Sequence, residues 1–523
     1  MSFKQEGMKG IRMVFHSILF EKPEDGPRPD DIPEPAFFGD LNLDQIVSAV
    51  TMGRDEYKLK PFFHTELVRE EAITYRHEVM RDLDNVAVLD SINAFAAGMR
   101  KMRQHLAQAD KLHYLLQSEW WFLEAVAVYC QTLETFARDL SLTALGSKGL
   151  REFHRTLNAY VASARFQALM RDAIRIKKSL AAIRYCVRIK GSAVTVLHYD
   201  AEIDHSADVL RIFEKFKQGA VKDHRAELRD WLDMNHVEAR VLDFVEQLHP
   251  QVFVELSTYC ANNTDYLDAT IQTFDREVQF YLAYRDYIGI CKSVGLSFCY
   301  PRMSSTSKAM HCDETFDLAL AHKLANEKAR VVCNECHLDD EERLIVVSGP
   351  NNGGKTTFAR MFGQLHYLAK IGCPVPGRNA ALFLCDHIFT HFEREENTKD
   401  LRGKLQDDLM RVHQILAHTT SRSVIIMNEI FSSTTLTDAL FLSRKIIDEI
   451  LGRDALCVCV TFIEELAQID DRAVSMVSEV KPEDPASRTF RVRRRPADGR
   501  AYAVSVAELY GLTYDHLTER IGL

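Results

Sequence analysis

An apolar run at 344–347 (Leu-Ile-Val-Val) ends on Ser348 and opens into Gly-Pro-Asn-Asn-Gly-Gly-Lys-Thr-Thr at 349–357, with helical text after it. Few other arrangements constrain a fold so tightly. The run has the length of a buried strand, the glycines permit a sharp turn, and the helix that follows sets its N-terminus against that turn. Successive backbone N–H groups then face one point, and the partial positive charge of the helix end reinforces them, so the turn is built to hold an anion. The pattern predicts a P-loop that binds ATP through Gly349, Pro350, Asn351, Asn352, Gly353, Gly354, Lys355, Thr356 and Thr357. Lys355 is expected to reach the β- and γ-phosphates and to act catalytically, and Thr356 to hold Mg²⁺ through its hydroxyl.

The text around this loop alternates. From about residue 317, strands are predicted at ARVVC, RLIVVSG, AALFLC, SVIIM, ALCVCVTF and RTFRVRR, with helical stretches between most of them. That alternation is the mark of an α/β domain with a mainly parallel sheet. The strand at 424–427 delivers Asn428 and Glu429 at its end, within SVIIMNEIFSSTT. In P-loop ATPases an Asp in the first place orients the Mg²⁺ shell, and the following Glu positions the attacking water. Asn428 is read as the metal-side residue and Glu429 as the catalytic one. An amide still accepts a hydrogen bond from metal-bound water but brings no negative charge.

The first half of the chain has a different texture. Residues 21–36 carry five prolines and a run of acids and read as irregular. From about residue 62, apolar residues recur at three- and four-residue steps, as in HTELVREEAITYRHEVMRDLD. Ser147 is a candidate N-cap for one long helix, KGLREFHRTLNAYVASARFQALMRDAIRIKKSLAAI. YCVRIKGSAVTVLHYD (185–200) is rich in β-branched and aromatic residues around Lys190-Gly191-Ser192 and predicts a two-stranded hairpin. Long helices resume to about Val294, punctuated by Pro250, and Tyr300-Pro301 ends them. The expected fold class is multi-domain, an all-α core and lever region with a small β-hairpin insertion, followed by an α/β P-loop (ABC-type) ATPase domain. The expected boundaries are an irregular segment at 1–60, the helical domain at 61–304 and the ATPase and dimerisation domain at 305–523.

Composition sets the surroundings. The net charge of -10 rules out a polycation, so nucleic acid can be met only through a local patch. Twelve cysteines scattered over a long chain read as reduced thiols, not a disulfide scaffold. The N-terminal stretch lacks the apolar core of a signal peptide, and no window of apolar residues is long enough to span a membrane. A soluble cytoplasmic protein, without membrane association, is the expectation.

At this point the sequence resembles the C-terminal ATPase domain of the MutS mismatch-repair family. GPNNGGKTT (349–357) is close to the family's GPNMGGKST, and IGCPVPGRNAALFLCDHIFTHF (371–392) is similar to its IGSYVPA…IDRIFTR segment. MNEIFSSTT (427–435) stands where the family has MDEIGRGTS, and TFIEEL (461–466) where it has THYHEL. GRAYAVSVAELYGL (499–512) is similar to SYGIxVAxxAG. More weakly, YRHEVMRDLD (75–84) resembles the start of the family's core domain, and YLAYRDYIGICKSVGLSFCYPRM (281–303) its returning lever helix. The resemblance implies a homodimer with each nucleotide sandwiched between subunits, ATP and Mg²⁺ as cofactors, hydrolysis to ADP and phosphate, and levers that grip DNA in repair or recombination.

Several residues depart from the family. Phe462 stands where the family has a His and can neither contact the γ-phosphate nor relay a proton. The Ser that a partner subunit offers to the nucleotide falls near Gly403-Lys404, where Lys404 could replace that donor with a charge. The N-terminal mismatch-reading domain with its Phe-x-Glu wedge is not recognisable, nor is an Smr nuclease tail, so mismatch-specific recognition is not expected. The alternative is a slow or non-hydrolysing nucleotide switch acting on a protein partner.

Other features carry two readings. Arg171, Arg175 and Lys178 share a helical face and form a candidate nucleic-acid contact, or else a solvated basic face tied up in intramolecular ion pairs. Cys333-x-x-Cys336-His337 is half a zinc knuckle without its second pair. Arg491, Arg493, Arg494 and Arg495 read as a solvent-facing strand or a dimer contact, and Trp120-Trp121 as core. His391 follows a strand near the loop and is a further candidate to approach the nucleotide.

Overall fold

The computed structural model describes residues 15–26, 32–191, 193–200, 234, 236–393, 403–481, 484–496 and 514–521. Short helices α1 (Leu43–Thr51) and α2 (Lys60–His64) lead into α3 (Glu70–Asp82). The three- and four-residue apolar spacing then builds two long helices, α4 (Val86–Lys111) and α5 (Leu115–Ser141). Asn85 starts α4 by accepting from the Ala87 N–H, one of the donors a helix start leaves unpaired. A Cβ at Gly98 would lie 2.2 Å from Thr132 Oγ1, so α4 and α5 approach closely there.

Ser147 does cap a helix, accepting from the Leu150 N–H at 3.3 Å. The long helix predicted after it is two, α6 (Lys148–Val161) and α7 (Ala164–Ala181). The break lies at Ser163, which takes extended backbone and accepts from the Phe166 N–H at 3.2 Å. A serine offers the chain this local alternative to continued helix, and apolar periodicity does not register it. Strands β1 (Tyr185–Lys190) and β2 (Ala193–His198) pair antiparallel, with Gly191 at φ 62° in the turn. Helices α8 (His236–Leu248), α9 (Pro250–Asn262) and α10 (Ala269–Ser293) follow, Pro250 at the first position of α9 where no N–H is missed.

The remainder alternates β3 (Phe298–Cys299), β4 (Arg302–Ser304), β5 (Met310–Thr315), α11 (Leu318–Asn326), β6 (Asn334–Leu338), β7 (Leu344–Ser348) and α12 (Lys355–Lys370). It continues through β8 (Val375–Pro376), β9 (Asn379–Phe383), β10 (Ile388–His391), α13 (Lys404–His418), β11 (Val424–Asn428) and α14 (Leu436–Gly452). Then come β12 (Leu456–Val460), β13 (Ala473–Lys481), β14 (Asp484–Arg494) and α15 (Tyr514–Ile521). The main sheet has the order β10-β11-β12-β7-β13-β14, parallel except for the antiparallel edge strand β14. β7, β11 and β12 are buried at every residue, which is why they read as unbroken apolar runs rather than alternating ones. On one side of the sheet, Ile425, Met427, Cys457 and Cys459 pack with Ile446, Ile447 and Ile450 of α14.

Two strand expectations shift. ARVVC is not a strand; β6 begins just after it at Asn334, and residues 330–333 line a cleft beside β14. AALFLC does form β9, but in a second, four-stranded sheet ordered β4-β9-β5-β6.

Among the described residues the chain packs as two compact units. One takes in the stretches up to Leu83, Gly146–Leu150 and everything from Arg276, and the other Asp84–Leu145 with Arg151–Asp275. The second, helical unit has an aromatic centre in which Phe153 stacks on Phe274 at 3.6 Å and Phe95 on Phe136 at 4.6 Å. Trp120 and Trp121 meet edge to face, and Trp120 stays 41% exposed, so the pair is only partly core. The first unit buries Arg76 completely. Its Nε and Nη1 donate to the carbonyls of Leu19 and Ile371, and its guanidinium lies over Phe20 and Phe280. No helix of the described residues is long and apolar enough to cross a membrane.

Candidate functional site

The glycine loop leaves the C-terminal end of β7, and Asn428 ends β11, two strands away in the same parallel sheet. Parallel order therefore brings both to one edge, the rim where open α/β sheets place their ligands. Gly349 (φ 119°) and Gly354 (φ 94°) take left-handed backbone that a side chain resists, and Asn352 (φ 57°) lies there too. α12 starts at Lys355 immediately after, so its unpaired N–H groups face the loop.

A second strand grips the loop from behind. Ser478 of β13 donates its hydroxyl to the Gly353 carbonyl at 2.6 Å. A Cβ on Gly353 would fall 2.3 Å from that oxygen, and one on Gly349 3.0 Å from the Ser478 backbone, so glycine is required at both places by proximity as well. Arg488 of β14 donates from Nε to the Asn351 carbonyl at 3.0 Å. Neither Ser478 nor Arg488 was foreseen. β13 pairs directly with β7, but its Ala-Val-Ser-Met-Val-Ser-Glu-Val-Lys text gives no hint that one serine reaches a loop more than a hundred residues earlier.

The predicted site residues fall as follows. Lys355 is 4% exposed and donates from Nζ to the carbonyls of Gly349 (3.0 Å) and Pro350 (3.1 Å), so its ammonium folds back onto the loop. Burial lowers its pKa first of all; Glu429 opposes that shift and Arg488 adds to it. The Thr356 hydroxyl donates to Asn428 Oδ1 at 2.9 Å, which ties the start of α12 to the end of β11. Glu429 follows at φ 55° and its N–H donates to the Val460 carbonyl. Phe431 also has a positive φ, 59°, although its ring is fully buried. Asn351 and Asn352 are exposed, and Thr357 is half-buried on the first turn of α12.

Phe462 is half-exposed, and its ring centre lies 4.3 Å from Lys355 Nζ. The residue that cannot relay a proton thus still touches the site, as a cation–π partner. His391 is 1% exposed and its Nε2 lies 3.3 Å from Asp408 Oδ1 of α13. Lys404 pairs with Glu393 of its own chain, and Ser432 donates to the same carboxylate. In β6 alternation turns Cys336 inward and His337 outward, so the half-knuckle does not converge. Of the basic run, Arg494 pairs with Glu342 and Arg493 with Glu479, while Arg491 lines the cleft of about 550 Å³ formed with residues 330–335.

The basic face of α7 lies in the helical unit. Arg171, Arg175 and Lys178 are all exposed on it. Arg175 is paired with Glu255 of α9 and with Asp172, and Lys177 with Glu124. No ion pair engages Arg171 or Lys178 among the described residues.

With this geometry in hand, the comparisons with known proteins are informative. The MutS domain V family matches residues 345–519, which begin within β7 and take in the loop, Asn428, Phe462 and β13–β14. Over these residues the chain carries a MutS domain V. The DNA mismatch repair protein MutS of Chlorobium chlorochromatii is 25% identical over 226 residues, 42% of this chain and 26% of that protein. That of Zymomonas mobilis is 27% identical over 246 residues, 44% of this chain and 28% of its own length. That of Oleidesulfovibrio alaskensis is 29% identical over 191 residues, 35% and 21% respectively. The chain therefore spans about a quarter of the length of these MutS relatives. The MutS-like segment at 499–512 lies outside the described residues.

Proposed function

We propose that the chain binds ATP at the 349–357 loop, hydrolyses it, and couples nucleotide state to movement of its long helices, gripping DNA in repair or recombination. The observation that carries this reading is convergence. Lys355 turned back on the loop carbonyls, Thr356 joined to Asn428, and Ser478 holding Gly353 come from three separate segments and meet around one turn.

The residues fit a nucleotide's phosphates. The left-handed glycines and the start of α12 supply backbone N–H donors, and Lys355 supplies an ammonium that exchanges its loop carbonyls for phosphate oxygens. The donors available to Mg²⁺ are oxygens only, the Thr356 hydroxyl and the Asn428 amide, a set that suits a hard cation held mainly by phosphate and water. The metal, when bound, supplies charge neutralisation. Glu429, whose backbone takes φ 55° just past the end of β11, positions the attacking water and takes its proton. Two copies pair through this domain, and closure on ATP biases the helices between two states. Arg171 and Lys178 contribute the DNA contact, with Arg175 held partly in reserve by Glu255. The protein works in the cytoplasm.

Phosphate release by the purified chain, with and without duplex, branched and single-stranded DNA, tests the reading. Glu429→Gln is expected to lower the rate by about a hundredfold or more. A variant that binds ATP and matches the wild-type rate sinks the hydrolysis. A second reading, a slow nucleotide switch acting on a protein partner, is favoured by one contact. The position facing Lys355 holds the Phe462 ring, which has no proton to give.

A further inference from the structure

The site's charge balance differs from what a metal-centred arrangement needs. Around the Mg²⁺ position the strand end offers a neutral amide, Asn428, and the Thr356 hydroxyl donates straight to its oxygen at 2.9 Å. A carboxylate there would draw in a divalent cation and repel phosphate. The amide does neither, and its N–H₂ group is itself a donor suited to a phosphate oxygen.

Positive charge is added on the other side. Arg488 sits on the outer rim of the loop, its Nε fixed to the Asn351 carbonyl at 3.0 Å, close enough for its charge to act on Lys355. It is held there by construction. β13 and β14 slip register around Ser478–Lys481, Phe490 turns to φ 58°, and the Phe490 backbone would lie 3.6 Å from a Cβ on Gly354. Asn334 fastens the same turn, donating to the Phe490 carbonyl and accepting from the Val492 N–H. The irregular stretch of β14 thus lays the Arg488–Phe490 segment along the loop.

We infer that Arg488 is a nucleotide-binding residue that takes over part of the charge compensation usually left to Mg²⁺, so that ADP is retained without a divalent metal. The inference rests on the proposed nucleotide site and adds who neutralises the phosphates. Lys355 and Arg488 both bring positive charge to this loop, whereas Asn428 brings none. Metal then matters for hydrolysis more than for holding the nucleotide.

Fluorescent ADP titrated into the full chain, in Mg²⁺ and in EDTA, tests this. Wild type is expected to lose less than about threefold in affinity on metal removal. Arg488→Gln is expected to weaken binding in EDTA by about tenfold, the loss of one charged contact, and binding in Mg²⁺ by clearly less. Asn428→Asp is expected to restore metal dependence, with EDTA then costing about tenfold. Arg378→Gln, which removes an exposed charge paired with Glu314, controls for net charge, and thermal melts check that each variant folds. Wild-type binding abolished by EDTA, or Arg488→Gln equally weak in both conditions, overturns the inference and leaves the nucleotide site standing. No ADP binding by wild type in either condition overturns both.

Discussion

The glycine loop and the basic face of α7 are built in opposite ways. At the loop, α12, β11, β13 and β14 each bring one group, Thr356, Asn428, Ser478 and Arg488, and each is tied by a hydrogen bond to another segment. On α7, charges project from a single helix into solvent, and Arg175 is already met by Glu255 from α9. Convergence from several elements is hard to produce except for a ligand. A stripe of like charge on one helix is what an ordinary surface also looks like, and ion pairs of this exposed kind contribute little. The two regions therefore support their proposed roles unequally, and experiments can widen or close the gap.

The largest expected effect lies beside the loop, in the turn after β11. Phe431 combines a left-handed backbone with a fully buried ring, where the MutS motif has glycine. Phe431→Ala is expected to cost about 3–5 kcal/mol in denaturant unfolding, because the ring's cavity is not refilled. Phe431→Gly is expected to be no less stable than the alanine variant, since glycine relieves about 1–2 kcal/mol of left-handed strain. A glycine variant that unfolds well before the alanine one would falsify the strain.

Next in size is Gly353→Ala. Its methyl would overlap Ser478 Oγ, so a cost of about 1–3 kcal/mol is expected, read as lost ADP affinity. Adding Ser478→Ala removes the overlapping oxygen and should recover part of that affinity. If the double variant binds no better than the single one, Ser478 is not what shapes the loop.

The two units should also differ in acid. His366 on α12 is completely buried, and burial pushes its pKa down to about 4 from an unfolded value near 6.5. Its native form is neutral, so the stability it carries is complete above about pH 6.5 and is lost as the pH falls toward 4. The loop-bearing unit is expected to lose about 2 kcal/mol from this group between pH 8 and pH 5. His366→Leu should flatten the curve by that amount in denaturant midpoints, and an unchanged curve would mean the imidazole titrates normally.

The smallest effect concerns α7. If the face meets DNA phosphates, Arg171→Ala and Lys178→Ala should each lower the slope of log affinity against log salt by about 1, and Arg175→Ala by less. A slope that none of the three changes removes the face from the binding surface.

What the sequence could tell follows the same division. Strands buried on both sides had to be apolar throughout, so β7, β11 and β12 could be read from their text, as could the loop whose glycines have no other use. β13 escaped notice because serines interrupt it, and one of those serines is the loop's anchor. The text of β9 showed a strand but not its sheet, since partners lie in the pairing and not in the composition. Residues 329–333 had the β-branched texture of a strand, and 330–333 instead border a cleft. Glu255 stands eighty residues from Arg175, so nothing local announced that pair.

The bond from Ser478 to Gly353 spans 125 residues. On a ribosome adding roughly 5–20 residues per second, the loop emerges many seconds before the strand that shapes it. Until β12 is made β7 has neither of its sheet neighbours, β12 and β13, because both are encoded later. A nascent chain thus exposes the Leu344–Ser348 strand edge, apolar and unpaired, for most of the synthesis of this domain. The same long reach makes the finished loop a certificate of completion, since its native shape requires the chain to have been made at least through β13.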